Sequence, residues 1–211
     1  MSMSKLVSKK EEILNTWSHG LGAVFALVGS WYLWDKGNGQ GPYANLSILM
    51  YGTSLFALFT SSTVYHAVAS PRLKRRFRIL DHISIYMLIA GTYTPVALIS
   101  LLQGNGITLF FVVWGIAGLG TLFKVFYTGR LEFVSLLLYL IMGWLIVFDF
   151  QNLLEVTTGL GIRFLLAGGL FYTVGIVFYA WQRIPYNHFI WHLFVLGGAA
   201  CHWFFIYLDV V

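Results

Sequence analysis

An all-α, seven-transmembrane helix bundle, with its N-terminus cytoplasmic and its C-terminus outside, is the architecture this sequence predicts. Three observations predict it. Only 10% of the 211 residues are charged while 58% are hydrophobic, whereas soluble domains carry about a quarter charged residues. The apolar residues run in long unbroken stretches, not in the short alternating segments of a β-barrel. Seven of these stretches approach the roughly 20 residues a helix needs to cross the hydrocarbon core. The same composition excludes an ordinary soluble globule and a disordered chain. Residues 1–211 read as a single integral membrane domain, with no low-complexity segment and no clear repeat.

The first span, about residues 16–34, follows Lys5, Lys9 and Lys10 and resembles a signal peptide superficially. The apolar run from Ile13 to Trp34 is too long for such a core and lacks a small-residue cleavage site, so it is expected to be retained. A polar turn, Asp35 to Pro42, leads to span 2, about 44–67. Pro71 to Arg78 reads as a basic loop before span 3, about 80–102. Gln103 to Gly106 is a tight uncharged turn before span 4, about 107–127. Tyr127 to Arg130 connects to span 5, about 132–150. A polar gap, Asn152 to Gly161, carries Glu155 and precedes span 6, about 162–182. Arg183 to Tyr186 opens span 7, about 187–209.

Alternate connections differ in Lys and Arg. One side holds Lys5, Lys9, Lys10, Arg72, Lys74, Arg75, Arg76, Arg78, Lys124, Arg130 and Arg183, and the other only Lys36 and Arg163. The positive-inside rule sets the orientation, and an odd span count puts Val211 outside. The net charge of +5 therefore sits in membrane flanks, so anionic lipid and not nucleic acid is the expected contact. Lys124 is expected to snorkel from the inner end of span 4. The single cysteine, Cys201, lies in an apolar run and leaves no intramolecular disulfide to form.

Polar residues inside a bilayer are costly, so their positions carry information. His19 lies in the first turn of span 1 and His66 in the last turn of span 2. Asp81 and His82 open span 3, and His188 and His192 open span 7. Alternation of the spans brings all of these to one leaflet, the inner one. His202 lies ten residues past His192, about 15 Å further along the helix. His188 and His192 are spaced i, i+4 on one face, as are Ser62 and His66. Glu12, Asn15 and His19 follow at +3 and +4, again on one face. Asp81 and His82 are about 100° apart on a helix, so one of them, Asp81, is expected to face inward.

Three histidines from two helices with an open position suit a catalytic zinc, and imidazoles suit zinc better than magnesium or calcium. Zinc would bring a bound water to a pKa of about 7. Asp81 could orient that water or take its proton, and Ser62 could hydrogen-bond it or a developing oxyanion. Each residue also has a purely structural reading. Single interfacial histidines are often packing residues. Glu12 and Asn15 could cap span 1, and Asp81 could cap span 3 or pair with Arg78. Pro95 is expected to kink span 3. Gly115, Gly118, Gly120, Gly168, Gly169, Gly197 and Gly198 are expected to allow close helix approach.

The segments Glu12-x-x-Asn15-x-x-x-His19, Ser62-Thr63-Val64-Tyr65-His66, Leu80-Asp81-His82, Ala90 to Pro95 and Arg183 to His192 together resemble the hemolysin III family. That family is the bacterial branch of the progestin and adipoQ receptor family, related more distantly to alkaline ceramidases. The resemblance spans Glu12 to about Asp209. It implies seven helices, a cytoplasmic N-terminus and zinc near the inner leaflet held by His66, His188 and His192. It also implies that Asp81 holds the zinc-bound water, with Ser62 the serine of the Ser-x-x-x-His motif. Glu12, Asn15, His19 and His82 are candidates for a surrounding shell. The receptors' long N-terminal domain is missing here, so extracellular ligand sensing is not implied.

Three functions follow as expectations. The first is a zinc-dependent hydrolase of acyl-amide or ceramide-like lipids, drawing substrate from the inner leaflet and serving membrane-lipid homeostasis. The second is a non-enzymatic lipid sensor with a structural zinc, for which a fourth protein ligand such as His82 would speak. The third is a channel or the cytolysin that the family name implies, which would need a polar path through the bundle.

Overall fold

The computed structural model describes residues 8–211, and Lys5 lies outside the described residues. The described residues are helical and form no strand. Helix α1 (Lys9–Gly37) is capped by Ser8, whose side chain accepts a hydrogen bond from the Glu11 amide at 3.1 Å. Glu11 and Glu12 then sit in the first turn, where the helix dipole favours carboxylates. Neither Glu12 nor Asn15 is needed as a cap.

The remaining helices are α2 (Ala44–Ala67), α3 (Pro71–Pro95), α4 (Gly106–Tyr127), α5 (Glu132–Gly143), α6 (Phe150–Val156), α7 (Gly159–Ala180) and α8 (Asn187–Phe205). By length and composition, six helical segments among the described residues can cross a membrane. They are α2, Pro71–Ser100, α4, Glu132–Val156, α7 and Asn187–Val210. The chain is thus an all-helical, multi-pass membrane protein. Helix α1 stands outside this set of six, although at 29 residues it is the longest helix described.

Three boundaries differ from expectation. Residues Pro71 to Arg78 are not a loop but the first two turns of α3, because Pro71 occupies the first helical position, where its missing N–H costs nothing. Asp81 is therefore well inside α3 and not its cap. Pro95 ends α3, and the chain continues as a π-helical turn (Val96–Ser100), which accommodates the missing donor without breaking the span. The expected polar gap after span 5 is partly helical. After α5 comes a 3-10 turn (Leu145–Asp149) and then α6, which contains Asn152 and Glu155. Thr158 caps α7 by accepting from the Gly161 amide at 3.1 Å.

Helices α1, α2, α3 and α4 pack successively, α7 packs on α8, and α8 returns to α1. The core contains Tyr51, Leu55, Phe59, Tyr86, Val113 and Phe205. The outer surface is apolar, with Phe111, Leu119, Phe126 and Phe133 all exposed, as a hydrocarbon solvent requires. Helix α1 has the opposite polarity to a soluble amphipathic helix. Its buried stripe contains Glu11, Asn15, Ser18 and His19, whereas Trp17, Leu21, Val24 and Trp31 face outward.

The glycines divide by position. Gly120, Gly168, Gly197 and Gly198 each face a ring closely enough that a Cβ would clash, and at Gly198 it would lie 2.8 Å from the Tyr172 ring. Gly115 and Gly118 have nothing within 4 Å, and Gly169 has only ordinary contact with Trp144, so these three do not mediate close helix approach. Gly198→Val should therefore cost about 1–3 kcal/mol by overpacking and visibly lower the unfolding temperature in detergent. Gly115→Ala should leave it unchanged or slightly raised.

Candidate metal centre

The inner stripe of α1 meets the end of α2 and the start of α8. His66 lies in the last turn of α2, while His188 and His192 lie on one face at the start of α8. The three offer ligand nitrogens that all fall within 4.8 Å of one another, so the set could hold a metal ion. His66 and His188 approach to 3.3 Å between their Nε2 atoms. The ring centroids of His192 lie 4.9 Å from those of His66 and 4.8 Å from those of His188. His66 and His192 are buried, and His188 is partly buried.

The hydrogen bonds around this triangle decide which nitrogen of two rings points inward. His66 Nδ1 donates to Glu12 Oε2 at 2.6 Å, with Asn15 Nδ2 at 3.5 Å from the same nitrogen. The Ser18 hydroxyl donates to the Asn15 carbonyl at 3.0 Å. Having spent its proton there, Ser18 accepts from His192 Nδ1, 3.2 Å away. Both rings are thereby held with a proton on Nδ1 and a lone pair on Nε2, the arrangement that outer partners impose on metal-binding histidines. The Nε2 atoms of His66 and His188, 3.3 Å apart, can share one proton in a hydrogen bond with His188 as donor, or bind one cation together. Two ligands each about 2.0–2.1 Å from a tetrahedral ion would stand about 3.3 Å apart, so the residues fit a metal.

Glu12 also binds Lys74 at 2.9 Å. Partial burial raises its pKa, but the hydrogen bonds and charges of His66 and Lys74 outweigh this and hold the carboxyl below its ordinary value. Glu11, buried, accepts from the His188 amide at 3.3 Å and so caps α8 from across the bundle. His19 stacks on His192 with centroids 3.6 Å apart and planes 11° apart. Four of the residues singled out from sequence are thus brought against the histidine triangle or its supports: Glu12, Asn15, His19 and Ser62. The last is buried on α2, one turn from His66.

Asp81 is partly buried on α3 and hydrogen-bonds Ser62. The expectation that only one of Asp81 and His82 faces inward does not hold, because both border the same cavity. That cavity is wide enough to be reached from both sides of α3. His82 nevertheless stands apart from the triangle. Its Nδ1 lies 3.5 Å from Glu132 Oε2, and its carbonyl accepts from the Tyr139 hydroxyl at 3.0 Å. Glu132 gathers Lys124 at 2.6 Å and Arg78 at 3.6 Å. Lys124 is fully buried in this pair and does not snorkel. Arg78 is paired with Glu132 and not with Asp81.

The cavity runs from His19, Ser62, Asp81, His188 and His192 to Trp144, Tyr172 and His202. The step from His192 to His202 alone covers about 15 Å along α8. Between its polar ends the wall is mostly apolar, aliphatic at Leu58, Leu88, Leu136, Ile176 and Val195 and aromatic at Tyr93, Tyr139, Tyr179 and Trp191.

Sequence reasoning missed Glu11, Ser18 and Glu132. Glu11 and Ser18 carried a usable signal, since they lie at −4 and +3 from Asn15 on the face already identified. Glu132 carried none beyond its position at the foot of an apolar run.

The fold and the cluster define a multi-pass helical membrane protein with a histidine-rich site between its first, second and last helices. The chain belongs to the haemolysin-III related family, whose model matches residues 7–203. It is 43% identical over 203 residues to Hemolysin-3 of Bacillus cereus, covering 96% of this chain and 93% of that protein. It is 39% identical to the Hemolysin-3 homolog of Bacillus subtilis (strain 168), covering 92% of each. It is also 33% identical to the human monocyte to macrophage differentiation factor, covering 93% of this chain and 83% of that protein. That protein belongs to the progestin and adipoQ receptor family, so the chain is related to that family too.

Because Glu12 orients His66, Glu12→Gln should weaken divalent-metal affinity by about 10–100-fold. Chelator competition on the purified protein reads this out, with helical content retained.

Proposed function

We propose that this chain is a zinc-dependent hydrolase of acyl-amide, ceramide-like lipids taken from the inner leaflet, working in membrane-lipid homeostasis. In this reading α1 is a seventh span and the N-terminus is cytoplasmic. The outward apolar face of α1 supports the span, since exposed Trp17, Leu21, Val24 and Trp31 suit lipid and not water. The excess of Lys and Arg on alternate connections supports the orientation.

The observation that carries the reading is the composition of the site. His188 and His192 line the end of a long, mostly apolar cavity together with Asp81 and Ser62, His66 completes their cluster, and no fourth histidine, cysteine or carboxylate joins it among the described residues. Imidazole donors favour zinc. When bound, zinc supplies Lewis acidity and an activated water at neutral pH. Asp81 takes or holds a proton at its carboxyl, and Ser62 fixes that carboxyl by hydrogen bonding to it. The aliphatic wall between Leu58 and Val195 receives the acyl chain and excludes water. The Glu12 and Ser18 hydrogen bonds keep two imidazoles oriented throughout.

A lipid sensor with a structural zinc uses the same ligands, but its expected fourth ligand, His82, is engaged by Glu132. A cytolysin or channel needs a polar path, and the cavity wall is mostly apolar. The word hemolysin belongs to the named relatives.

Elemental analysis of purified protein should find about one zinc per chain. A His188→Ala/His192→Ala variant should lose both the metal and hydrolysis of N-acyl lipids. Asp81→Asn should keep the metal and lose about 10²–10⁴-fold in rate. Absence of zinc from the unaltered protein would sink the reading. Zinc without turnover of any N-acyl lipid would leave the sensor.

A further inference from the structure

The polar face of α1 is almost completely paired within the chain. Glu11 accepts from the His188 amide. Glu12 binds His66 and Lys74. Asn15 approaches His66, and Ser18 bridges the Asn15 carbonyl and His192. Asn15 Oδ1 has no partner among the described residues, and His19 is the larger exception. It is 3% exposed, and neither its Nδ1 nor its Nε2 has a hydrogen-bond partner among the described residues. A neutral imidazole carries one N–H donor and one lone pair, and burying both unpaired is costly.

The ring is not loosely placed. It lies flat on His192 at 3.6 Å and receives the edge of Phe59 at 5.1 Å, with planes 81° apart. A phenylalanine would satisfy both contacts without the cost of two unpaired nitrogens. His19 also borders the cavity, on the stretch shared with Ser62, Asp81, His188 and His192. A buried, immobilised and unpaired polar ring at the polar end of an apolar cavity is matched by a ligand that brings the missing partner. The mostly apolar wall suits a long apolar chain, and the unpaired ring suits an oxygen at that chain's head.

Resting on the acyl-amide reading above, we propose that His19 is a substrate-contacting residue. Its imidazole N–H donates a hydrogen bond to the carbonyl oxygen at the head of the acyl chain lying in the cavity. His19 thereby sets how far the chain enters and presents its carbonyl beside the three histidines. It is not a metal ligand in this role, because its ring lies face-on to His192 and outside the ligand triangle.

The test uses the full-length protein in lipid nanodiscs and a long-chain N-acyl ethanolamide with a ¹³C-labelled carbonyl, in the Asp81→Asn background to slow turnover. His19→Phe should weaken binding of the probe by about 2–10-fold, the effect of one hydrogen bond. It should also shift the bound carbonyl stretch to higher frequency, with metal content unchanged. His19→Gln should recover part of both effects. His19→Met, which fills the space without a donor, repeats the comparison should the phenylalanine variant not assemble. Identical affinity and identical carbonyl frequency in all variants would overturn the His19 assignment and leave the lipid reading standing. Loss of metal together with loss of binding would also overturn it, since His19 would then act by supporting His192. A probe that fails to bind even with His19 in place would remove both the assignment and the acyl-amide reading.

Discussion

Inside a membrane a polar side chain has no water to fall back on, and each one must find its partner in the protein. In this chain that requirement falls most heavily on one contact, where the polar stripe of α1 meets the histidines at the end of α2 and the start of α8. The Glu12–His66 and Ser18–His192 hydrogen bonds and the Glu11 cap on the α8 amide fix the rotation of α1. Turning α1 by half a turn would put two carboxylates and an asparagine toward lipid and bring Trp17 and Leu21 into the bundle. The same contact leaves two imidazoles with their Nε2 lone pairs inward. The constraint that seats the helix is also the constraint that prepares the site.

The separation of two charged groups at the same end of the bundle follows from it. Glu12 pairs with Lys74 and accepts from His66, and Glu132 pairs with Lys124 and Arg78 beside His82. Each carboxylate draws a different histidine to itself. His66 is held to the triangle, and His82 is held away from it, across the cavity. Between them Asp81 keeps a hydroxyl partner, Ser62. The basic run at the start of α3 is thus more than a flank. Lys74 and Arg78 of one helix tie α1 on one side and α5 on the other.

Much of this was readable in the sequence, and the parts that were not share a cause. The i, i+4 spacing of His188 and His192 placed them on one face, and alternation of spans brought His66 to their level without any coordinates. Composition together with the long unbroken apolar runs established the all-helical membrane class. What failed were inferences that treated charge as a marker of loops or surface. Pro71 to Arg78 read as a loop because five bases in eight residues look solvated, yet proline at the first position of a helix and good helix formers after it make two regular turns. Lys124 read as a snorkelling flank because its partner, Glu132, belongs to the next helix. Asp81 and His82 were read as alternatives because helical geometry gives an angle but says nothing of the width of the space they face. Gly115 and Gly118 read as packing sites because spacing cannot tell a helix-facing glycine from a lipid-facing one. Helix α1 is the sharpest case. Its polar residues lower its hydropathy, but they lie on the buried face, so the feature that weakens it as a span by composition is the one that anchors it.

The placement of the ligands along the chain has a further physical consequence. His66 is followed by more than a hundred residues before His188, and the outer partners of both come from the first dozen residues of α1. A cation held by this set would therefore tie the beginning of the chain to its end, across α2 and α8. Neither α1 nor α8 presents a complete site alone, since the candidate ligands come from α2 and α8 and the partners of His66 and His192 from α1. Metal affinity and the docking of α1 against α8 are then two expressions of one equilibrium. Substitutions on α1 that touch no ligand nitrogen, at Glu11 as much as at Glu12 or Ser18, act on the site through that docking.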